Sequence, residues 1–332
     1  MTVLSRASRA RAVAQAAAVG GAKLVGVGGA FYGLLLGQSR WARYRIGQPI
    51  DVPPKPERHY GQATSEPVRL AILGDSAAAG FGVDTPGETT GALIAQGLAV
   101  RLNRPVELCC AAVVGAQSGD LPAQIRQTSD FCPEVTVIMV GANDVTHRVT
   151  PGRSVALLTR AVRELRAGGS QVVVGTCPDL GTIRPIPHPL RWVARRWSRS
   201  LAAAQTVAVV EAGGRTVALA DLVGPEFDAH PDRMFGPDQF HPSPAGYHAL
   251  AEAVVPSVVA ALTESTQPDG ALSILPIDEA AAAAAEVGGT EVAAPAAQPT
   301  SSRWGRRRLR VVLRRRDGQS PAGQSVEADY PV

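Results

Sequence analysis

The chain has 332 residues and a net charge of +4, and this charge is unevenly distributed. Residues 1–45 hold seven basic residues and no acidic ones, residues 303–316 hold eight arginines, and residues 46–263 hold 18 basic and 20 acidic residues. A nucleic-acid groove needs Lys and Arg clustered on the folded domain itself, so the nearly neutral middle argues against such a groove. The Ala-rich and Pro-rich C-terminal region predicts one folded domain with appendages.

Basic residues enclose an apolar stretch near the N-terminus, from Ala12 to Leu36. About 20 apolar residues suffice to cross a bilayer as a helix, so residues 1–45 are predicted to form a transmembrane-like signal anchor. No small-residue cleavage site closes the stretch, which favours retention. Lys23 interrupts it, and equal numbers of flanking arginines leave the orientation open. The alternative structure is an amphipathic helix lying on a surface.

The expected location follows from this segment. An anchor of this kind predicts a membrane-anchored or exported protein of the cell envelope, and a cytoplasmic membrane-associated protein is the alternative. Residues 46–66 contain several prolines and polar residues, and they are predicted to be a linker between the anchor and the folded domain.

The folded domain is predicted to span residues 67–263. Short apolar, β-branched runs alternate there with longer helical patterns, and near-continuous apolar runs indicate strands covered on both faces. The sequence therefore predicts an α/β fold with three layers, α/β/α, and about five parallel strands. The predicted strands are Val68–Leu73, Val106–Ala111, Val135–Val140, Gln171–Thr176 and Thr216–Ala220, and the predicted helices cover roughly 88–102, 120–129, 152–167, 190–214 and 244–263.

Residues with catalytic potential follow the ends of the predicted strands. Ligands of open parallel sheets bind beyond the carboxyl ends of the strands, so residues placed there are expected to meet at one edge. Four stretches occupy these positions in chain order: Gly74-Asp75-Ser76, Val114-Gly115-Ala116, Gly141-Ala142-Asn143-Asp144 and Asp238-Gln239-Phe240-His241-Pro242.

In this order, the four stretches resemble the SGNH/GDSL hydrolase superfamily. The resemblance covers roughly residues 67–263 and implies a flavodoxin-like fold and a GDSL-type serine esterase or lipase. It also implies an oxyanion hole formed by the backbone N–H groups of Ser76 and Gly115 and the side-chain amide of Asn143. The sequence departs from the common pattern at Ala77, where many members have leucine, and in lacking an asparagine upstream of Gly115. Neither departure removes a catalytic group.

The chemistry of ester cleavage explains why these residue types are needed. A serine hydroxyl is a weak nucleophile, so Ser76 needs a base, which His241 is expected to supply. Asp238, three residues earlier, is expected to orient the imidazole and stabilise its protonated form. Asp75 and Asp144 are predicted to be structural, since a triad needs only one carboxylate. No other histidine has a spacing typical of metal ligands, so neither a metal nor a cofactor is expected.

The predicted activity is hydrolysis of carboxylic esters through an acyl-enzyme intermediate. The acyl group is expected to be a short- to medium-chain, lipid or O-acetyl group. Two alternatives remain open: acyl transfer to a carbohydrate acceptor by the same triad, and a non-catalytic binding module tethered to the envelope. The expected partners are small-molecule or lipid esters and a membrane surface, and no nucleic acid. The sequence leaves the oligomeric state open.

Residues 178–199 combine a Pro-rich loop with several arginines and two tryptophans, Trp192 and Trp197. Because this segment leaves the predicted active-site edge, it is expected to bind substrate as a wall or lid of an acyl pocket, or to rest on a membrane interface. The alternative is a solvated basic helix face with two core tryptophans.

Residues 264–332 are predicted to be a disordered tail. Residues 264–302 contain no basic residue and include a run of six alanines, a composition that cannot build a packed core. The basic cluster at residues 303–316 indicates either a site for an anionic surface or a solvated tail. The four cysteines are interpreted as small buried apolar residues, and the sequence does not choose a disulfide pairing.

Overall fold

The computed structural model describes residues 30–47, 52–62 and 64–264, and the backbone alone of residues 275–276, 290–293 and 308–313. The strands are β1 (His59–Tyr60), β2 (Val68–Gly74), β3 (Val106–Cys110), β4 (Val135–Met139), β5 (Gln171–Gly175), β6 (Arg215–Val217), β7 (Leu275–Pro276), β8 (Thr290–Ala293) and β9 (Arg308–Leu313). Strands β2 to β6 are parallel neighbours in the order β3-β2-β4-β5-β6. The predicted three-layer fold with about five parallel strands is confirmed.

The helices cover both faces of this sheet. They are α1 (residues 30–46), α2 (Ser76–Ala79), α3 (Thr90–Leu102), α4 (Leu121–Thr128), α5 (Ala142–Thr146), α6 (Pro151–Ala167), α7 (Leu190–Glu211), α8 (Leu219–Leu222), α9 (Gly224–Ala229), α10 (Pro231–Met234) and α11 (Pro244–Glu264). Short 3-10 helices occur at Pro86–Glu88, Ser118–Asp120, Ser129–Phe131 and Leu180–Thr182.

Each central strand buries alternate side chains on opposite faces, because side chains of a strand alternate with period two. In β4, Val135 and Val137 join the core cluster that also contains residues of α3 and α11. Ile138 joins the opposite cluster, with residues of α4 and α6. This two-sided burial explains why the strands are apolar without interruption in the sequence.

The ends of the sheet differ in direction from its centre. β1 pairs antiparallel with β3, and β8 pairs antiparallel with β6, followed by β9 and β7. β1 lies within the segment predicted as a linker, and β7 to β9 lie within the segment predicted as a disordered tail. The side chains of these last three strands, and the other residues after 264, lie outside the described part of the chain, so the prediction for the tail is not tested.

The last parallel strand is shorter than its predicted range. The sequence predicts a strand over Thr216–Ala220, whereas β6 ends at Val217 and α8 begins at Leu219. Leu219 and Ala220 are buried as predicted, but on a short helix rather than on a strand. A short apolar run is compatible with either structure, which accounts for the difference.

α1 contains the C-terminal end of the predicted anchor, and residues 1–29 of that anchor lie outside the described residues, so the prediction is not tested. Within the described part of the chain, Pro244–Thr263 is the one helix long and apolar enough to cross a membrane. Half of that span is buried, and it packs against α3 in the core.

Candidate active site

Ser76 lies at the carboxyl end of the central strand β2, where the chain turns sharply into α2. Gly74 has φ of +133°, and a Cβ atom at this position would lie 1.9 Å from the Met139 carbonyl oxygen. Only glycine fits this turn. Asp75 caps α2, because its Oδ1 accepts a hydrogen bond from the Ala77 N–H at 3.0 Å. The turn therefore holds Ser76 at the first position of a helix, with its side chain at the edge of the sheet.

A chain of hydrogen bonds connects Ser76 to a carboxylate. The distance from Ser76 Oγ to His241 Nε2 is 3.0 Å, and the distance from His241 Nδ1 to Asp238 Oδ2 is 2.6 Å. Asp238 accepts a hydrogen bond from the Nδ1–H of His241. Nε2 of the neutral imidazole then carries no proton, so it can accept a hydrogen bond from the serine hydroxyl. This is the arrangement that activates a serine as a nucleophile.

Asp238 is held by the same turn that carries His241. Its Oδ1 accepts from the backbone N–H groups of Phe240 and His241, each at 2.9 Å. Burial alone would raise the pKa of the Asp238 carboxyl, but these hydrogen bonds and the one from the His241 ring hold that pKa below its usual value. Asp238 therefore stays ionised beside the imidazole.

The His241 ring is fixed by two aromatic neighbours. Its centroid lies 4.4 Å from that of Phe81 and 4.8 Å from that of Phe240. Phe81 is itself anchored, because its carbonyl oxygen accepts from the Tyr247 hydroxyl of α11 at 2.6 Å. These contacts orient Nε2 toward Ser76.

The three predicted oxyanion donors lie at the start of α2, in α5 and on the loop after β3, and hydrogen bonds connect these segments. The Val113 N–H donates to the Gly74 carbonyl at 3.1 Å, which brings the loop with Gly115 over the end of β2. Asn143 Nδ2 donates to the Ala116 carbonyl at 3.2 Å, so its amide is turned toward the same loop. The backbone N–H of Ser76 has no acceptor within α2, because the first N–H groups of a helix lack intrahelical partners.

Two buried glutamines brace the strand ends around Ser76. Gln124 of α4 accepts from the Gly74 N–H at 2.7 Å and donates to the Gly74 carbonyl at 2.8 Å. Gln205 of α7 accepts from the Cys177 N–H at 2.7 Å and donates to the Val140 carbonyl at 3.0 Å. Neither residue was predicted from the sequence, because a glutamine in an amphipathic helix gives no sign of which backbone groups it will contact.

An apolar cavity of about 100 Å³ opens beside Ser76, Asn143 and His241. Its lining comes from the ends of β4 and β5, the loop before α7, and the segment between β6 and α11. The apolar lining includes Met139, Leu180, Ile183, Leu219, Val223, Phe227 and Phe235. The sequence analysis did not identify the wall formed by Leu219 to Phe235. The sequence contains one sign of this wall, because three of the six phenylalanines in the chain lie close together there: Phe227, Phe235 and Phe240.

The two acids predicted to be structural are both buried. Burial raises the pKa of Asp75 to about 7, a shift that its hydrogen bond from Ala77 opposes and the nearby Asp144 reinforces. Asp144 accepts from the Ser118 hydroxyl at 2.9 Å and from the Ser118 N–H. Burial also raises the pKa of Asp144, against the hydrogen bonds from Ser118. Asp144 thus ties α5 to the loop after Gly115.

The two tryptophans predicted to bind substrate lie away from this cavity. Trp192 is 63% exposed, whereas Trp197 packs against the core with its indole N–H buried. Neither lines the cavity formed by the described residues.

The described part of the chain contains no group of three His, Cys, Asp or Glu residues that could hold a metal ion. All four cysteines are free thiols.

Comparison with known proteins identifies related sequences and structures. Residues 72–249, more than half of the chain, match the sequence profile of the GDSL-like Lipase/Acylhydrolase family. The GDSL-like esterase Rv1075c of Mycobacterium tuberculosis is 40% identical over 256 residues, which cover 73% of this chain and 82% of that protein.

Two solved structures superpose with lower similarity. The lipase/acylhydrolase of Enterococcus faecalis is 19% identical, with a TM-score of 0.48, and the match covers 61% of this chain and 99% of that one. A variant of Axe2, an acetyl-xylooligosaccharide esterase from Geobacillus, is 19% identical with a TM-score of 0.48, covering 57% and 93%. The profile match and the mycobacterial relative confirm the resemblance found in the sequence: the chain belongs to the GDSL-like lipase/acylhydrolase family.

Proposed function

We propose that the protein hydrolyses carboxylic esters, with Ser76 as the nucleophile, His241 as general base and acid, and Asp238 as the residue that orients His241. The family is one of lipases and acylhydrolases, and the mycobacterial relative is named an esterase. The observation that carries the proposal is the hydrogen-bond chain from Ser76 Oγ through His241 to Asp238, at the mouth of an apolar cavity.

The proposed reaction follows from the position of each atom. His241 Nε2 takes the proton of the Ser76 hydroxyl as Oγ attacks the ester carbonyl carbon. The carbonyl oxygen becomes negative and is stabilised by the N–H groups of Ser76 and Gly115 and by the Asn143 amide. His241 then gives its proton to the leaving alcohol. Water, activated by the same imidazole, releases the acid from the acyl-enzyme.

The cavity indicates which part of an ester the protein holds. Its lining is mostly apolar, although Thr176, Asp179 and Thr182 also contribute to it, so it favours an uncharged hydrocarbon portion of the substrate. The cavity is lined by Ser76 and by residues at the ends of β4 and β5. We therefore assign it to the acyl group, whose hydrocarbon chain matches the apolar lining.

A panel of p-nitrophenyl esters with acyl chains of increasing length tests this function. The wild type is expected to hydrolyse the esters with a chain-length optimum, and Ser76→Ala and His241→Ala are expected to lose nearly all turnover. His248→Ala is the matched control, because His248 is an exposed histidine on α11. Full activity in either triad variant would refute the mechanism, and equal losses in the control would indicate a general loss of folding.

A further inference from the structure

The exposed aromatic side chains of the protein are concentrated in one region. Nine large hydrophobic side chains are exposed among the described residues, and six of them belong to α1 and the start of α7. These six are Phe31, Tyr32, Leu34, Trp41, Tyr44 and Trp192. The other three are the valines Val52, Val100 and Val113. Every large aromatic residue in this exposed set therefore lies in one region, here called the α1–α7 surface.

The order of side chains along α1 is typical of a helix that passes from the hydrocarbon of a bilayer into its head-group region. Its first two turns, residues 30–36, are apolar and form the end of the apolar stretch that starts at Ala12. The next turns contain Arg40, Trp41, Arg43, Tyr44 and Arg45, and the Arg45 guanidinium lies 5.5 Å from the centre of the Trp41 ring. Trp, Tyr and Arg are the residues favoured at the boundary between hydrocarbon and water.

The unpaired charge of α1 is positive. Residues 30–46 contain three arginines and no acid, and no acidic residue occurs from Leu180 to Val210. Arg184, Arg195 and Arg199 are neutralised by ion pairs with Asp179, Asp221 and Asp228. The three arginines of α1 have no such partner among the described residues, and basic residues near an anionic lipid surface are attracted to it.

α1 is attached to the folded domain by specific contacts. Ala42 is buried in the core, and the Gln38 side chain donates to the His188 carbonyl at 2.6 Å and accepts from the Leu190 N–H at 3.0 Å. The bonded loop is continuous with Ile183, which lines the apolar cavity. α1 is therefore hydrogen-bonded to the same loop that contributes Ile183 to the cavity wall.

We propose that the α1–α7 surface docks on an anionic lipid bilayer, with its aromatic side chains in the head-group region. The positive charge matches an anionic surface, and the apolar turns at residues 30–36 point the helix into the hydrocarbon. This placement brings the loop before α7, and with it one wall of the cavity, close to the membrane. The proposal does not depend on the catalytic assignment.

Tryptophan fluorescence of the full-length protein tests this surface directly. The chain has four tryptophans, Trp41, Trp192, Trp197 and Trp304, so single-tryptophan variants are made by replacing the other three with Phe. Each is reconstituted into vesicles of phosphatidylcholine and phosphatidylglycerol, with and without bromine on the upper part of the acyl chains. Trp41 and Trp192 are expected to lose most of their emission in brominated vesicles, and the core residue Trp197 is expected to keep it.

Other results would overturn the proposal. If the protein sediments with the vesicles but Trp41 and Trp192 are not quenched, an anchor alone holds it and this surface faces water. If their emission is already blue-shifted without lipid and shifts further with protein concentration, a second copy of the chain covers the surface. If quenching is equal in vesicles of pure phosphatidylcholine and is unchanged in Arg40→Gln/Arg43→Gln, the preference for anionic lipid is wrong.

Discussion

Asn143, in the first turn of α5, places a neutral side-chain donor in the candidate site, and this donor also bonds the Ala116 carbonyl. Asn143→Ala removes this donor from the proposed oxyanion hole and leaves Ser76, His241 and Asp238 in place. Loss of one such donor typically lowers turnover by about 10²–10³. We expect a fall in kcat of this order with a small change in KM, measured on the best ester of the panel.

The matched control for this variant is Thr146→Ala, which alters an exposed side chain of the same helix, α5. Both variants are expected to keep the thermal midpoint of the wild type within a few degrees. Unchanged kcat in Asn143→Ala would exclude this amide from the oxyanion hole. A large loss of stability would mean that its bond to the Ala116 carbonyl is chiefly structural.

Asp75 makes the stability of the fold depend on pH. Its pKa in the folded protein is about 7 against 3.8 for the free side chain, so the folded state holds the proton more tightly than the unfolded state. A raised carboxyl pKa favours folding most at low pH, and this contribution is lost as pH rises from about 4 to about 7. Three units of pKa correspond to a loss on the order of 4 kcal/mol.

Asp75→Asn removes this titration while keeping an acceptor oxygen for the Ala77 N–H. We expect its unfolding free energy, relative to the wild type, to increase between pH 4 and pH 7 in urea titrations. Asp130→Asn, at an exposed acid, is the control and should show no such trend. A difference between Asp75→Asn and wild type that is constant with pH would show that Asp75 does not titrate in this range.

At the scale of secondary-structure elements, Gln124 connects α4 to the end of β2. Gln124→Leu leaves the Gly74 N–H buried without its partner, whereas the Gly74 carbonyl keeps its hydrogen bond from the Val113 N–H. An unsatisfied buried group costs about 1–3 kcal/mol, so we expect the unfolding free energy to fall by about this amount. Because the same turn places Ser76, kcat should fall as well.

Gln127→Leu is the matched control for this experiment, because Gln127 lies on the same helix but is exposed. Unfolding by urea measures the stability of both variants, and the ester assay measures their turnover. Equal stability of the two variants would show that the Gly74 backbone finds other partners. Reduced stability with unchanged kcat would show that the position of Ser76 tolerates loss of this brace.

The sequence predicted most of the elements around the site because their signals are local. Strands buried on both faces appear as uninterrupted apolar runs, and the predicted helices over 152–167 and 244–263 correspond to α6 and α11. The motif residues Ser76, Asn143, Asp238 and His241 could be aligned to one edge because parallel strands share a direction.

What the sequence did not provide depends on contacts between distant segments. Gln124 and Gln205 act through backbone groups on other elements, and no local pattern marks them. Leu219 lies on a short helix that ends just before Val223, and its apolar residues resemble those of a strand, so the cavity wall was not predicted. Trp192 was predicted to bind substrate from its position after β5, whereas its exposure places it on the α1–α7 surface.

In the whole molecule, the loop before α7 connects the proposed esterase site to α1, the helix that we propose docks on a bilayer. Gln38 of α1 forms two hydrogen bonds with this loop, and Ile183 of the same loop lines the cavity. We propose that Ser76 is the single nucleophile of this site and that it is activated through its hydrogen bond to His241.

Covalent labelling with a fluorophosphonate, followed by mass spectrometry of the intact protein and of its peptides, tests this claim most directly. The account predicts one adduct per chain, located on Ser76, formed in parallel with loss of ester hydrolysis. The adduct should be absent in Ser76→Ala and form far more slowly in His241→Ala. An adduct on another residue, or hydrolysis that persists at the wild-type rate once Ser76 is labelled, would contradict it.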